Sequence, residues 1–210
     1  VGVDALPEAV EAIKAGEMTG TVLHDHVGQS HAAVDFAIQL LKGEEIQNTF
    51  AICDDGIYIV SDTAMYRFEI AADGLPCYTW RTPYDRGTTL KPGAINQGSG
   101  TTPTLLDVPV YDKEGEGAKQ IGVRKLCAIT DNADNQVNIV VYDRTTGEVV
   151  DQYPLFTPGK SVSENSIVAY GRSFVIENNY SDSGAGFLVT DPTSEPGVTR
   201  LDMNYDCTKL

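Results

Sequence analysis

The chain has 210 residues, of which 41% are hydrophobic, so it can bury one large core or two small ones and is not expected to be globally disordered. Its formal net charge of -15 and its pI of about 4.4 argue against binding to nucleic acid or to anionic membranes, because like charges repel. No apolar run approaches the roughly 18 residues of a membrane-spanning helix, and no signal peptide pattern opens the chain.

Residues 1–47 alternate between short strands and helices. Val1–Val3 and Gly20–Leu23, which contains the apolar run TVL, are predicted strands. Each precedes a predicted helix, the first ending at Gly16 and the second covering Gln29–Lys42. Strand, helix, strand, helix in this rhythm predicts a βαβα segment whose strands are parallel.

Two runs in this segment, GVDALPEAVEAIKAGEMTGTVLHD and QSHAAVDFAIQLLKGEEI, carry a family resemblance that extends from Val1 to Ile46. They resemble the C-terminal lobe of periplasmic sugar-binding proteins of the galactose and ribose type, which feed ABC transporters. The resemblance implies a small-molecule ligand, a periplasmic setting and sugar-contacting roles for Asp4 and for His24, where the family usually has an amide. The resemblance covers part of the family's C-terminal lobe and no part of its N-terminal lobe. The alternative is therefore that Asp4 is a strand-end carboxylate with no complete site to serve.

All three histidines, His24, His26 and His31, lie in this segment, with Asp25 between the first two. Imidazole and carboxylate groups suit zinc, but this spacing matches no established metal motif, so exposed loop histidines are the favoured interpretation.

From about Asn48 the pattern changes to short alternating strands separated by Gly, Asp and Asn turns, beginning with a hairpin at Asp54-Asp55-Gly56. The strands form three groups of four, predicted at 49–53, 57–60, 64–70 and 77–81, then 104–106, 125–130, 136–142 and 148–155, then 166–170, 173–177, 186–189 and 198–204. Such groups, repeating about every 50 residues, are typical of propeller blades. The predicted fold is mainly β, a propeller-like array of about three four-stranded blades in an incomplete ring (48–210), preceded by the βαβα segment (1–47).

The run VYDRTTGEVV, Val141–Val150, predicts a tight turn in which Gly147 takes a positive φ and Asp143 hydrogen-bonds the turn backbone. It resembles the repeat of quinoprotein (PQQ-like) propellers, although Asp151 stands where that repeat has Trp. The resemblance implies the architecture and makes bound PQQ itself unlikely. The runs GSGTTPTLL, AITDNAD, NSIVAYGRSFVIENNY and VTRLD resemble bacterial propeller-like proteins of unassigned function, which implies a periplasmic or secreted protein.

Three blades do not close a propeller, since known rings have about four or more. Three interpretations stay open: missing blades, a different arrangement of the sheets, or a homo-oligomer in which a second copy completes the ring. The long loop Arg81–Pro103, rich in Gly, Pro and Thr, is predicted to be functional or mobile.

Three polar clusters stand at predicted strand ends, where carboxylates and amides from several blades would converge on a central channel. Oxygen ligands of this kind suit Ca²⁺. The pattern is similar to that of six-bladed propellers of the gluconolactonase and paraoxonase class, and this similarity implies a Ca²⁺ that polarises a lactone or ester carbonyl. The alternative is that Asp and Asn simply occupy turns. The candidate metal ligands are Asp131, Asn132, Glu164, Asn165, Glu177 and Asn178.

Three functions therefore stand side by side. The first is an extracytoplasmic propeller-like module that binds a ligand or acts as a Ca²⁺-dependent lactonase or esterase, with no catalytic base identified. The second is a sugar-binding protein fragment of an ABC transporter, and the third is a non-catalytic interaction module. No histidine follows His31, so a Ser–His–Asp triad within the β region is excluded unless that segment folds over it.

The four cysteines form no CxxC pair, which argues against the usual zinc and redox motifs. Buried free thiols at Cys53 and Cys127 are favoured, and a disulfide such as Cys53–Cys77 stays open.

Overall fold

The computed structural model describes residues 2–3, 21–22, 49–73, 75–181 and 197–210. The chain divides into two compact units, Val1–Lys42 and Gly43–Leu210. In the first unit, β1 (Gly2–Val3) pairs in parallel with β2 (Thr21–Val22), which is the pairing that a strand–helix–strand unit requires. The two predicted helices and the candidate ligand residues Asp4 and His24 lie outside the described residues.

The described part of the second unit contains three antiparallel sheets. The first sheet has the order β3-β4-β5-β6, the second β10-β9-β8-β7 and the third β11-β12-β13, so each is a meander of sequential strands. The strands are β3 (Ala51–Cys53), β4 (Gly56–Val60), β5 (Ala64–Ile70), β6 (Pro76–Pro83), β7 (Thr104–Tyr111), β8 (Gln120–Thr130), β9 (Asn138–Asp143), β10 (Val149–Pro154), β11 (Val168–Tyr170), β12 (Ser173–Glu177) and β13 (Val198–Asp202).

The second sheet is buried on both faces, as the alternation of side chains along β8 shows. Leu126 and Ala128 belong to a core shared with Phe174 and Ile176 of the third sheet. Cys127 and Ile129, which point the other way, belong to a core shared with the first sheet. All four of these β8 side chains are fully buried, so the second sheet lies between the other two.

The turn between β9 and β10 has the predicted geometry. Gly147 has a φ of 76°, and its N–H donates to the carbonyl of Asp143 at 2.8 Å. The Asp143 carboxylate accepts hydrogen bonds from the backbone N–H groups of Thr145 and Thr146 at 2.9 and 3.2 Å. The predicted turn at Asp143–Gly147 is therefore confirmed.

The prediction of a mainly β fold made of groups of sequential strands is confirmed for the described residues from 49 onward, with the end points of most strands shifted by a few residues. The third sheet has three strands within the described residues, and the predicted strand at 186–189 lies outside them. A propeller, closed or open, stays a prediction. All four cysteines are free thiols, so the disulfide Cys53–Cys77 is not formed. In the part of the chain that the structure describes, no helix is long and apolar enough to cross a membrane.

Candidate functional site

The segment 84–103, which joins the first sheet to the second, crosses the strand ends where the predicted polar clusters lie. A Cβ on Gly87 would meet the carbonyl oxygen of Asn132 at 2.4 Å, and a Cβ on Gly93 would meet that of Asn179 at 2.4 Å. A Cβ on Gly100 would meet a carboxylate oxygen of Glu164 at 2.6 Å. The glycines of this segment therefore let its backbone lie directly on all three clusters. We call this assembly, residues 84–103 with 130–134, 161–165 and 177–181, the strand-end site.

Lys91 is a buried cation of the strand-end site and is 8% exposed. Its Nζ donates to the carbonyl oxygens of Ala133 and Ser161, which belong to two different clusters. Burial lowers the pKa of the Lys91 ammonium, while the nearby carboxylates of Asp131 and Asp134 act in the opposite direction. Through these two carbonyl groups the Lys91 ammonium connects the loop after β8 of the second sheet to the segment that precedes β11 of the third sheet.

Asp131 is 2% exposed, and its carboxylate is engaged on both oxygens. Oδ1 accepts from the backbone N–H groups of Asn138 and Ala133 at 2.7 and 3.3 Å, and Oδ2 accepts from the side-chain amides of Asn138 and Gln152 at 2.7 and 3.2 Å. Burial raises the pKa of Asp131 to about 6, although the donors from Asn138 and Ala133 oppose this shift. Little acceptor capacity remains on this carboxylate for a further ligand.

The Glu164 carboxylate accepts fewer hydrogen bonds than the Asp131 carboxylate. Burial raises the pKa of Glu164 to about 7, against one opposing hydrogen bond from the backbone N–H of Ile95 in the covering segment. Its own backbone N–H donates to Oδ1 of Asn179 at 2.8 Å, which links the second and third clusters. Glu164 therefore has both the position and the free lone pairs to accept a proton or a cation.

The remaining predicted ligands divide between capping and pairing roles. Oδ1 of Asn178 accepts from the backbone of Val162 at 3.1 Å and that of Tyr180 at 3.2 Å, so this amide holds the chain in place. The exposed Glu177 carboxylate accepts from the side-chain amides of Asn165 at 3.0 Å and Asn179 at 3.1 Å.

Asn132 contacts the covering segment, donating from Nδ2 to the carbonyl of Arg86 at 3.2 Å. The structure thus brings Asp131, Asn132 and Glu164 against segment 84–103 and leaves the Asn165–Glu177 pair exposed. Among the described residues, no group of three or more His, Cys, Asp or Glu side chains gathers in a metal-binding arrangement. The role of the six residues as Ca²⁺ ligands stays a prediction.

A second polar cluster, which the sequence did not reveal, joins the first hairpin to the second sheet. The Asp55 carboxylate accepts from Arg144 Nη2 at 2.8 Å, Lys125 Nζ at 2.9 Å and the Tyr58 hydroxyl at 3.0 Å. These donors, together with the Cys53 thiol, hold the pKa of Asp55 well below its usual range despite the opposing effect of burial. Arg144 is 5% exposed and also donates to Asp107 at 2.9 Å. In the sequence Arg144 lies inside a tight turn, a position that normally faces water.

Trp80, Arg81 and Tyr84 have packing and supporting roles in the first sheet and the segment that follows it. Trp80 is buried, and the Arg81 guanidinium lies 5.4 Å from the centre of the Tyr66 ring. The Tyr84 hydroxyl donates to the carbonyl of Ser61 at 2.6 Å and accepts from the backbone N–H of Ser99 at 2.8 Å.

Comparison with known proteins finds two relatives that are similar to a short part of the chain. A stretch of 43 residues, 20% of the chain, is 51% identical to the D-galactose/methyl-galactoside binding periplasmic protein of Haemophilus influenzae. A stretch of 51 residues, 24% of the chain, is 39% identical to a protein of Rhizobium meliloti described as rhizopine-binding. The chain spans only 13% and 16% of the lengths of these relatives. No family profile and no solved structure matches the chain.

Proposed function

We propose that this chain is a periplasmic binding protein whose ligand is a sugar or a related polyol. The observation that supports this function best is the 51% identity to a galactose-binding periplasmic protein over 43 residues. That length is close to the 46 residues that the motif GVDALPEA and its continuation cover from Val1 to Ile46. A binding function also suits the acidic composition, which disfavours nucleic acid and anionic membranes as partners.

Within this proposal Asp4 is the sugar-contacting residue of the N-terminal segment. A carboxylate accepts hydrogen bonds from neighbouring sugar hydroxyls, and each such charge-assisted bond contributes about 1.5–3 kcal/mol. His24 takes the position of the family's second contact, where an imidazole offers one donor and one acceptor in its neutral form.

Isothermal titration calorimetry with D-galactose, D-glucose and D-ribose tests the proposal on the full chain. We expect heat of binding with at least one sugar and a loss of about tenfold or more in affinity for Asp4→Ala. Asp35→Ala, which removes a carboxylate from another position of the same segment, is the matched control. Absence of binding by the unmodified chain to all three sugars would overturn the proposal.

Cation-dependent hydrolysis at the strand-end site is the second candidate. The observation that favours it is Glu164, a half-buried carboxylate that accepts one hydrogen bond, from the backbone N–H of Ile95, since its unused oxygen lone pairs would stabilise a hard cation. A bound Ca²⁺ could then polarise a lactone or ester carbonyl. Lactonase or esterase activity that disappears in EDTA is the result this candidate requires.

A homo-oligomer that completes a β ring remains part of both candidates as a proposal about partners. Size-exclusion chromatography with light scattering tests it directly. A clean monomer would overturn the oligomer without affecting either ligand.

A further inference from the structure

A cleft of about 320 Å³ opens between the β3–β4 hairpin and the edge of the second sheet. We refer to residues 49–210, which contain all three antiparallel sheets, as the β domain. The hairpin turn Asp54-Asp55 forms one wall, and Asp107 of β7 and Lys125 of β8 form the other. Arg144 also lines the cleft and joins the two walls, because its Nη2 bonds both Asp55 and Asp107. The volume lies at the lower end of the range of about 300–1,000 Å³ for small-molecule sites.

The charged side chains of the cleft are oriented by ion pairs and are still exposed to solvent. The Lys125 side chain is 46% exposed and the Asp107 side chain 58% exposed, yet each has one fixed ionic partner inside the cluster. Fixed partners orient these groups before a ligand arrives, which reduces the entropy lost on binding. The cleft thus presents an ammonium donor and a carboxylate acceptor side by side.

An unpaired donor of Arg144 is a second observation in favour of a ligand in the cleft. Its Nε is buried and has no hydrogen-bond partner among the described residues, although Nη2 of the same guanidinium bonds both Asp55 and Asp107. An unpaired buried donor costs about 1–3 kcal/mol, so an acceptor atom reaching this nitrogen would be stabilised.

The remaining lining decides which class of molecule fits. Ile52, which is 48% exposed, and the half-buried Leu105 form an apolar side that suits the C–H face of a sugar ring. Asp54, Asp55 and Asp107 outnumber Lys125 and Arg144, so the cleft has an excess of one negative charge and disfavours anions. Hydroxyl groups satisfy such walls best, because each hydroxyl both donates to a carboxylate and accepts from an ammonium or guanidinium.

We propose that the cleft between the Asp54-Asp55 turn and Lys125 binds a small neutral polyhydroxylated ligand of the monosaccharide class. The choice of ligand class rests on the proposed sugar-binding function, whereas the location rests on the contacts of Asp55, Asp107 and Arg144. The β domain then contributes a sugar site of its own, separate from Asp4.

Calorimetric titration of the full chain with D-galactose, D-glucose and D-ribose, followed by D-glucose 6-phosphate, tests the location. Lys125→Met and Asp107→Asn are each expected to lower the affinity for the best neutral sugar by about tenfold to a hundredfold, as for one lost charge-assisted bond. Lys125→Arg keeps the charge and should retain most of the affinity, and Lys119→Met, an exposed lysine outside the cleft, is the control for net charge. The phosphate ester should bind more weakly than the neutral sugar.

The Asp4→Ala variant separates this inference from the proposed function. Sugar binding that is lost in Asp4→Ala but unchanged in both Lys125→Met and Asp107→Asn would overturn the cleft and leave the proposed function standing. Binding lost in the two cleft variants but unchanged in Asp4→Ala would support the cleft and overturn the role of Asp4. Stronger binding of the phosphate ester than of every neutral sugar would overturn the ligand class. An unmodified chain that binds none of the sugars would overturn both proposals.

Discussion

The indole ring of Trp80 lies directly against the backbone of Gly147, so that a Cβ added there would meet Trp80 Cδ2 at 2.5 Å. Trp80 belongs to β6 of the first sheet, and Gly147 to the turn that leads into β10 of the second. The same indole donates from Nε1 to the carbonyl of Arg144 at 3.1 Å and stacks on Tyr142 with ring centres 6.3 Å apart. The left-handed glycine thus leaves room for an aromatic side chain of the first sheet to pack against the turn of the second sheet.

Gly147→Ala should destabilise the β domain by about 3 kcal/mol, because the left-handed backbone costs a non-glycine residue about 1 kcal/mol and the clash with Trp80 about 2. Gly159→Ala is the matched control, since Gly159 has a φ of 77° but nothing within 4 Å of the added Cβ. It should cost only the backbone contribution, about 1 kcal/mol. Urea unfolding followed by the fluorescence of the single Trp measures both variants. Equal losses in the two would contradict the close approach of Trp80.

Asp55 and Arg144 form the polar counterpart of this contact. Asp55→Asn should cost about 3 kcal/mol of unfolding free energy, because it leaves the buried Arg144 without its closest ionic partner. Asp54→Asn changes the neighbouring, exposed carboxylate of the same turn and should cost less than about 0.5 kcal/mol. Thermal or urea unfolding at pH 7 compares the two, and a similar small effect in both would show that the Asp55 pair contributes little.

The sequence predicted local structure in the β domain better than contacts between its sheets. The turns at Asp54-Asp55 and at Asp143–Gly147 were found because Asp and Gly have short-range reasons to occupy them. The strand β12, Ser173–Glu177, was placed with its observed bounds because its alternation is bounded by clear turn residues.

Long-range partners left no such local trace. Arg144 and Lys91 are polar residues in turn-like surroundings, where exposure is the ordinary outcome, and only the packing of the sheets buries them. The three Asn-acid clusters were identified as one group, and the structure places parts of all three against segment 84–103. The hydrogen bonds of these clusters depend on residues far along the chain, such as Gln152 for Asp131. The sequence therefore could not predict which carboxylates already accept several hydrogen bonds and which have free lone pairs.

The pH dependence of stability should show the burial of Glu164. Its pKa is raised from 4.5 to about 7 in the folded protein, so between these two pH values the folded state holds a proton that the unfolded state has released. The stabilising contribution is therefore complete below about pH 4.5 and is lost as the pH rises through about 7. Asp131, with its pKa raised to about 6, acts in the same direction over a lower range.

Glu164→Gln should remove the Glu164 part of this dependence. At pH 8 the variant should be more stable than the unmodified protein by about 1–2 kcal/mol, after allowance for solvent screening at a half-buried group. Urea midpoints measured between pH 4 and pH 8 give the comparison, with Glu116→Gln as the control for net charge. A variant that loses stability as steeply as the unmodified protein between pH 5 and pH 8 would contradict a half-buried Glu164 that binds a proton on folding.

Calcium binding at the strand-end site depends on the same carboxylate. If Ca²⁺ binds there, a concentration of about a hundred times its Kd stabilises the fold by about 2.7 kcal/mol, which raises the Tm of a domain of this size by roughly 5–10 °C. Glu164→Gln should abolish this rise, because it removes the carboxylate with free lone pairs, while Glu116→Gln should keep it. Asp131→Asn should reduce it less, since the Asp131 oxygens already accept bonds from Asn138 and Gln152. Protons compete with Ca²⁺ for Glu164, so the rise should be smaller at pH 5 than at pH 8. Differential scanning calorimetry with Ca²⁺ and with EDTA measures these shifts, and an unchanged Tm for the unmodified protein at millimolar Ca²⁺ would count against the site.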